Sequence, residues 1–236
     1  LGACGVGDPP CRADVIEYDD NIAGRRCSSG LNLAARSAAG VIVTQAELDA
    51  ALDLYDRAFA TLAPMLGSPP AAVAWYASPN VITRRAEIVA AWTSDRVDTG
   101  LAALDALLHE AHIDGFTTWT AADGTLHASL WSSTHAVVSP NLAARIAALG
   151  LADVEATGEL DRFTTPGNDA TISTPPAGSD WTAVTFEVGW GDCFARCPTH
   201  FWRVVVTPTT AFLSGEWGPP VPDEVLAWYR DPARLD

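Results

Sequence analysis

The sequence predicts an α+β fold, with helices and hairpins in the N-terminal part and an antiparallel β-meander in the C-terminal part. Three observations predict it. Thr44-Gln45-Ala46-Glu47 is a capping box, and it heads an apolar series at helical spacing: Leu48, Ala51, Leu52, Tyr55, Ala58, Phe59 and Leu62. Residues 116–121 and 125–131 flank Ala122-Asp123-Gly124, a hairpin signal. Val184, Phe186, Val188 and Trp190 then alternate with Thr185, Glu187 and Gly189, and Trp202, Val204 and Val206 alternate with Phe201, Arg203 and Val205. Helices mixed with hairpins and followed by a meander do not match regular βαβ alternation.

In chain order, residues 1–40 read as a tether and an irregular segment rich in Gly, Pro, Asp and Ser, pinned by one disulfide. The first helix runs to about Leu66, where Gly67-Ser68-Pro69-Pro70 stops it. Residues 71–77 fit a buried strand, and 86–93 fit a strand or a helix. Residues 98–112 form a second amphipathic helix with Leu101, Leu104, Leu108 and Ala111 as its stripe. A short strand at 136–139, a helix at 141–149 capped by Gly150, and a strand at 153–156 complete an α+β region over 41–156. Residues 157–180 are a polar loop or linker. Residues 181–236 hold the meander, with its third strand at 210–216, and a short helix at 223–229 that returns Leu226 and Trp228 to the core. Both flanks of the linker are short enough to share one core.

The chain has 236 residues, of which 48% are apolar and 18% charged, enough to bury a core. No apolar run reaches the length of a membrane span. There are 29 acidic residues against 14 basic ones, all Arg, for a net charge of -15. That field repels phosphate backbones and anionic lipid, so nucleic acid is excluded as a partner and membrane contact is expected only through a lipid anchor. Without Lys there is no P-loop, no protein-kinase site, no Schiff-base chemistry and no Ser-Lys acylase. Nucleophile-elbow, dinucleotide and haem-attachment motifs are absent as well.

Five Cys occur, at Cys4, Cys11, Cys27, Cys193 and Cys197. Leu1-Gly2-Ala3-Cys4 resembles a bacterial lipobox, which implies acylation of Cys4 and anchoring to the cell envelope. The other four Cys admit three pairings. The local one, Cys11–Cys27 with Cys193–Cys197, needs the least chain organisation, and its bridges would contribute about 3 and about 2 kcal/mol. Metal ligation by Cys193 and Cys197 would need a second close pair, which the sequence lacks. Disulfides imply an oxidising compartment outside the cytosol.

Two groups of residues are candidates for chemistry. The first is Gly189-Trp190-Gly191-Asp192-Cys193, then Cys197, then His200-Phe201-Trp202. It resembles a segment of uncharacterised secreted proteins and lipoproteins of environmental bacteria, departing from them at Phe194-Ala195-Arg196; the resemblance implies secretion and no particular activity. A short disulfide here would close a hairpin loop and fix Asp192 and His200 near its base. An Asp–His pair can exchange protons, but in such a loop Asp192 more often accepts loop amides and His200 satisfies a strand edge. Trp190 and Trp202 read mainly as packing, with a stacking platform for a sugar or peptide as the alternative.

The second group is Asp105, His109 and His112, spaced i, i+4, i+7 so that one helical face would carry a zinc-type ligand set, with Glu110 as a base. His109-Glu110-Ala111-His112 is one residue short of HExxH, and the bland alternative is a solvated face with His at a helix C-terminus. His127 and His135 could join only through the fold. The resulting expectation is a non-enzymatic bacterial cell-envelope lipoprotein without a cofactor, binding an extracytoplasmic peptide, glycan or protein. The alternatives are a zinc-dependent hydrolase and an inhibitor-like or propeptide-like module.

Overall fold

The computed structural model describes residues 10–16, 22–70, 78–158, 179–191 and 198–231. Cys4, Asp192, the Cys193–Cys197 pair, the strand expected at 71–77 and most of the 157–180 stretch lie outside the described residues. The fold is α+β, with two antiparallel sheets and helices concentrated in the N-terminal part.

The capping box forms as its chemistry requires. The Glu47 amide donates to the Thr44 hydroxyl oxygen (3.3 Å), and the Thr44 amide donates to the Glu47 carboxylate (2.8 Å). Helix α2 (Gln45–Leu66) follows and ends at Gly67, whose φ of 80° lets its amide close on the Ala63 carbonyl. Leu48, Leu52, Tyr55, Ala58, Leu62 and Leu66 are its buried face.

The irregular segment expected over residues 1–40 needs correction, because residues Ile22–Ser37 form a helix, α1. Its composition hid a stripe of Cys27, Leu31, Ala34, Ala35 and Ala38, all buried at helical spacing. Gly30 has a role there. A Cβ built on it would lie 2.6 Å from Leu52 Cδ2, so its bare backbone permits the close approach of α2. Cys11 is bonded to Cys27 of α1, with a Cα–Cα distance of 5.3 Å. That bond is consistent with an extracytoplasmic protein. No described helix is long and apolar enough to cross a membrane.

Helix α2 packs against the C-terminal meander of β5 (Thr182–Gly189), β6 (Thr199–Val206) and β7 (Ala211–Trp217), and α1 packs on α2 within the same core. The rings of Tyr55 and Phe186 meet at 5.3 Å. On β6, Trp202, Val204 and Val206 face this core, and Phe201 on the other side is also buried, stacked on Trp217. On β5 both faces are buried, since Ala183 and Thr185 are as enclosed as Val184, Phe186 and Val188. Helix α6 (Asp223–Arg230) docks on the end of α2, where the Arg230 Nε donates to the Met65 carbonyl (2.8 Å). Leu226 packs on the core as expected, while Trp228 lies beside the Arg25 guanidinium.

The second sheet has the order β2-β3-β1-β4, from β2 (Gly115–Thr120), β3 (Leu126–Trp131), β1 (Asn80–Thr83) and β4 (Val154–Thr157). The hairpin turn is where Ala122-Asp123-Gly124 predicts it. Gly124 has a φ of 84°, and the Asp123 carboxylate accepts from the Thr125 amide (3.0 Å). Helices α3 (Ala86–Trp92), α4 (Ala102–Glu110) and α5 (Ser139–Ala148) supply Ile88, Trp92, Leu104, Leu108, Leu142 and Ile146 against Val81, Leu126, Ala128 and Leu130 of the sheet. The ambiguous 86–93 stretch is therefore helical, decided by which face Ile88, Ala91 and Trp92 bury.

The two cores meet at a narrow seam. Ile42 pairs with Val137, the Val43 amide donates to the Ala136 carbonyl, and the Val138 amide donates to the Val41 carbonyl. Strand alternation sends Val41 and Val137 into one core and Val43, Ala136 and Val138 into the other. The 157–180 stretch does not divide the cores, because α2 lies before it and shares a core with the meander after it.

Candidate functional site

The structure separates the residues that the helical spacing had grouped. Asp105 is turned back onto its own N-terminal turn, accepting from the Thr99 amide and hydroxyl (both 2.7 Å) and the Gly100 amide (2.9 Å). His109 Nε2 lies 2.7 Å from the Asp98 carboxylate, with both groups largely exposed. Glu110 is held by the Arg145 guanidinium of α5 in a two-pronged pair, which keeps its carboxyl below the usual range. The helix ends at Glu110, and His112 follows at a φ of 52°, stacked on His135. The expected set fails for a geometric reason: the i+7 position has left the helix, so the three side chains no longer share a face. Among the described residues no group of three or more His, Cys, Asp or Glu side chains is arranged to hold a metal ion.

The second group is likewise explained by packing. Trp202 is 2% exposed inside the meander core, so no face of its indole is open to a ligand. His200 is 8% exposed and tilts over Trp202. Its Nδ1 lies 2.9 Å from the Pro219 carbonyl, which can only accept, so Nδ1 carries a proton. Trp190 packs half-buried against the same core. As ligand contacts, Trp202 and His200 are therefore corrected to core residues.

The open side of the four-stranded sheet carries a surface of a different kind. All three helices of this half pack on one side, toward Val81, Leu126, Ala128 and Leu130. The alternate residues face away, and the register aligns them in rows across the strands. One row is Trp119–His127–Ile82–Glu155, and the next is Thr117–Ser129–Asn80–Thr157. Beyond it lies the pair Gly115–Trp131. Trp119 is 60% exposed and Trp131 is 42% exposed.

Both indoles are supported from beneath or beside. Trp119 stacks on the His127 imidazole, with centroids 3.8 Å apart and planes 9° apart, which leaves its opposite face to solvent. Trp131 lies across Gly115 so closely that any Cβ there would overlap its ring. A glycine on the edge strand is thus covered by a cross-strand aromatic. In the polar row, the Ser129 hydroxyl donates to Asn80 Oδ1 (2.6 Å), orienting both groups. Rows of supported aromatics beside hydroxyl and amide groups can stack a ligand ring and bond its polar edge.

The sequence signal for this surface is the alternation Gly115, Thr117, Trp119 and His127, Ser129, Trp131 in the two arms of one hairpin. Alternation marks two faces but does not say which one helices will cover. The rows through Asn80 and Thr157 depend on strand pairings that no local pattern encodes. Compared with known proteins, the chain matches no family model, no curated protein and no solved structure.

Proposed function

We propose that this chain is a non-enzymatic binding module of the bacterial cell envelope, tethered through an acylated Cys4, with the open face of the four-stranded sheet as its ligand surface. The observation that carries the reading is the pair of exposed, supported indoles, Trp119 and Trp131, on a sheet face that no described helix covers. Neither indole belongs to the two cores, although Trp131 covers Gly115, and an open indole face is favoured where a ligand will stack. The Cys11–Cys27 bond supports an extracytoplasmic setting.

The test of the binding role is nuclear magnetic resonance of the indole N–H groups of Trp119 and Trp131 during titration with neutral oligosaccharides, polyanionic oligosaccharides and short uncharged peptides. Saturable shifts at these two indoles with any one class support the role. Resonances that stay still for all classes, or binding that survives loss of both indoles, end it. The tether is tested separately, by the intact mass of protein extracted from native membranes. Acyl mass at Cys4 supports it, and an unmodified Cys4 rejects the tether while leaving the binding role standing.

A further inference from the structure

We propose that the ligand of the open sheet face is an uncharged oligosaccharide lying along the β2–β3 hairpin, with sugar rings on Trp119 and Trp131 and hydroxyls on the row between them. This inference rests on the reading of that face as a ligand surface and adds the class of ligand.

Spacing comes first. Trp119 is registered opposite His127, four positions from Trp131 along β3. At the rise of an antiparallel strand that is about 14 Å. No single ring spans it, so a ligand that uses both indoles is an extended chain of several units.

The chemistry of the intervening row is the second point. Thr117, Ser129, Asn80 and Thr157 are all uncharged; the two threonines can donate and accept, and Ser129, whose proton goes to Asn80, still accepts. A sugar presents the same mixture: hydroxyls at its rim and weakly positive C–H groups on its faces, which meet the negative face of an indole. The hydrogen bond from Ser129 to Asn80 and the stack of His127 on Trp119 pre-set these groups, so little side-chain freedom is lost on binding.

Charge supplies the third. No Arg occupies these rows; their ionisable side chains are His127, which is covered by the Trp119 ring, and Glu155, on the opposite edge strand from Trp119. Within a chain of net charge -15, an anionic glycan, a phospholipid headgroup or a nucleic acid is repelled, while a neutral polyol is not. A peptide strand would seek pockets for alternate side chains. This face instead offers flat rings and small polar groups.

The experiment uses the full chain and named probes. The neutral set is cellohexaose, maltohexaose and N-acetylated chitohexaose; the comparisons are hexagalacturonate and an uncharged Gly-Ser-Thr hexapeptide. At least one neutral probe is expected to shift the indole resonances of both Trp119 and Trp131, with an affinity that does not fall as sodium chloride is raised. Trp119→Ala should weaken it about tenfold, and Trp119→Tyr should restore most of the loss. Trp131→Tyr keeps Gly115 covered and should weaken it less than Trp131→Ala. If a peptide or the anionic probe binds here and no neutral sugar does, the glycan assignment is overturned and the binding surface stands. If none of the probes moves either indole, both are overturned.

Discussion

The imidazole of His135 stacks on that of His112, with ring centroids 3.9 Å apart and planes 16° apart. The pair sits where the turn after α4 meets the loop entering the seam, two residues before Val137. Burial pushes the His135 pKa below its ordinary value, and the neighbouring His112 pushes it the same way; Asp14 and Asp114 act in the opposite direction and are outweighed. A lowered value means that the folded state resists protonation. The stabilisation is complete above the unfolded value near 6.5 and is lost as pH falls through the lower folded value. The urea midpoint of the native chain should therefore drop more between neutral and mildly acidic pH than that of His135→Asn. Equal drops would remove this role from His135.

The capping box has its own acid limit. Burial alone would raise the Glu47 pKa, but hydrogen bonds from the Thr44 amide, the Thr44 hydroxyl and the Ala39 amide outweigh it and leave it lowered. Its contribution is present above the ordinary value of 4.5 and is lost as pH falls through the folded value. Thr44→Ala should cost about 1 kcal/mol at neutral pH, read from chemical denaturation. Glu47→Gln should flatten the acid side of the stability curve.

At Gly30 two effects compete. Alanine in a helix interior is favoured over glycine by about 1 kcal/mol. Against that, a Cβ would meet Leu52 Cγ at 2.9 Å and Leu48 Cδ1 at 3.1 Å, and both leucines are buried in the core. Overpacking of this kind costs about 1–3 kcal/mol, so Gly30→Ala should lower the melting temperature. The loss should shrink in a Leu52→Ala background, and a double-mutant cycle measures that coupling.

The Cys11–Cys27 bond closes a loop with a sequence separation of 16 residues. Replacing both cysteines with alanine should cost about 3 kcal/mol, read from the denaturant midpoint. Mild reduction of the native chain should reproduce the loss. A midpoint unchanged by either treatment would mean that α1 is held by its packing on α2 alone.

The local signals settled the local structure. Thr44 and Glu47 sit within one turn of each other, Ala122-Asp123-Gly124 contains its own turn, and the alternation around Val184 and Trp202 needs only the period of a strand; each is a short-range interaction, so each is legible in the chain. Helix α1 was missed because its serine and glycine residues read as loop, although Cys27, Leu31, Ala34 and Ala35 already stand at helical spacing and are buried once α2 lies against them. The site was less legible still. Asp105, His109 and His112 share a face only on an ideal helix, and the chain leaves that helix at Glu110, where Arg145 takes the carboxylate. Trp119, Ser129, Asn80 and Thr157 come from four strands and become neighbours through register alone. Register is set by burying Val81, Leu126, Ala128 and Leu130 under three helices, and the opposite face inherits whatever side chains that burial leaves outside.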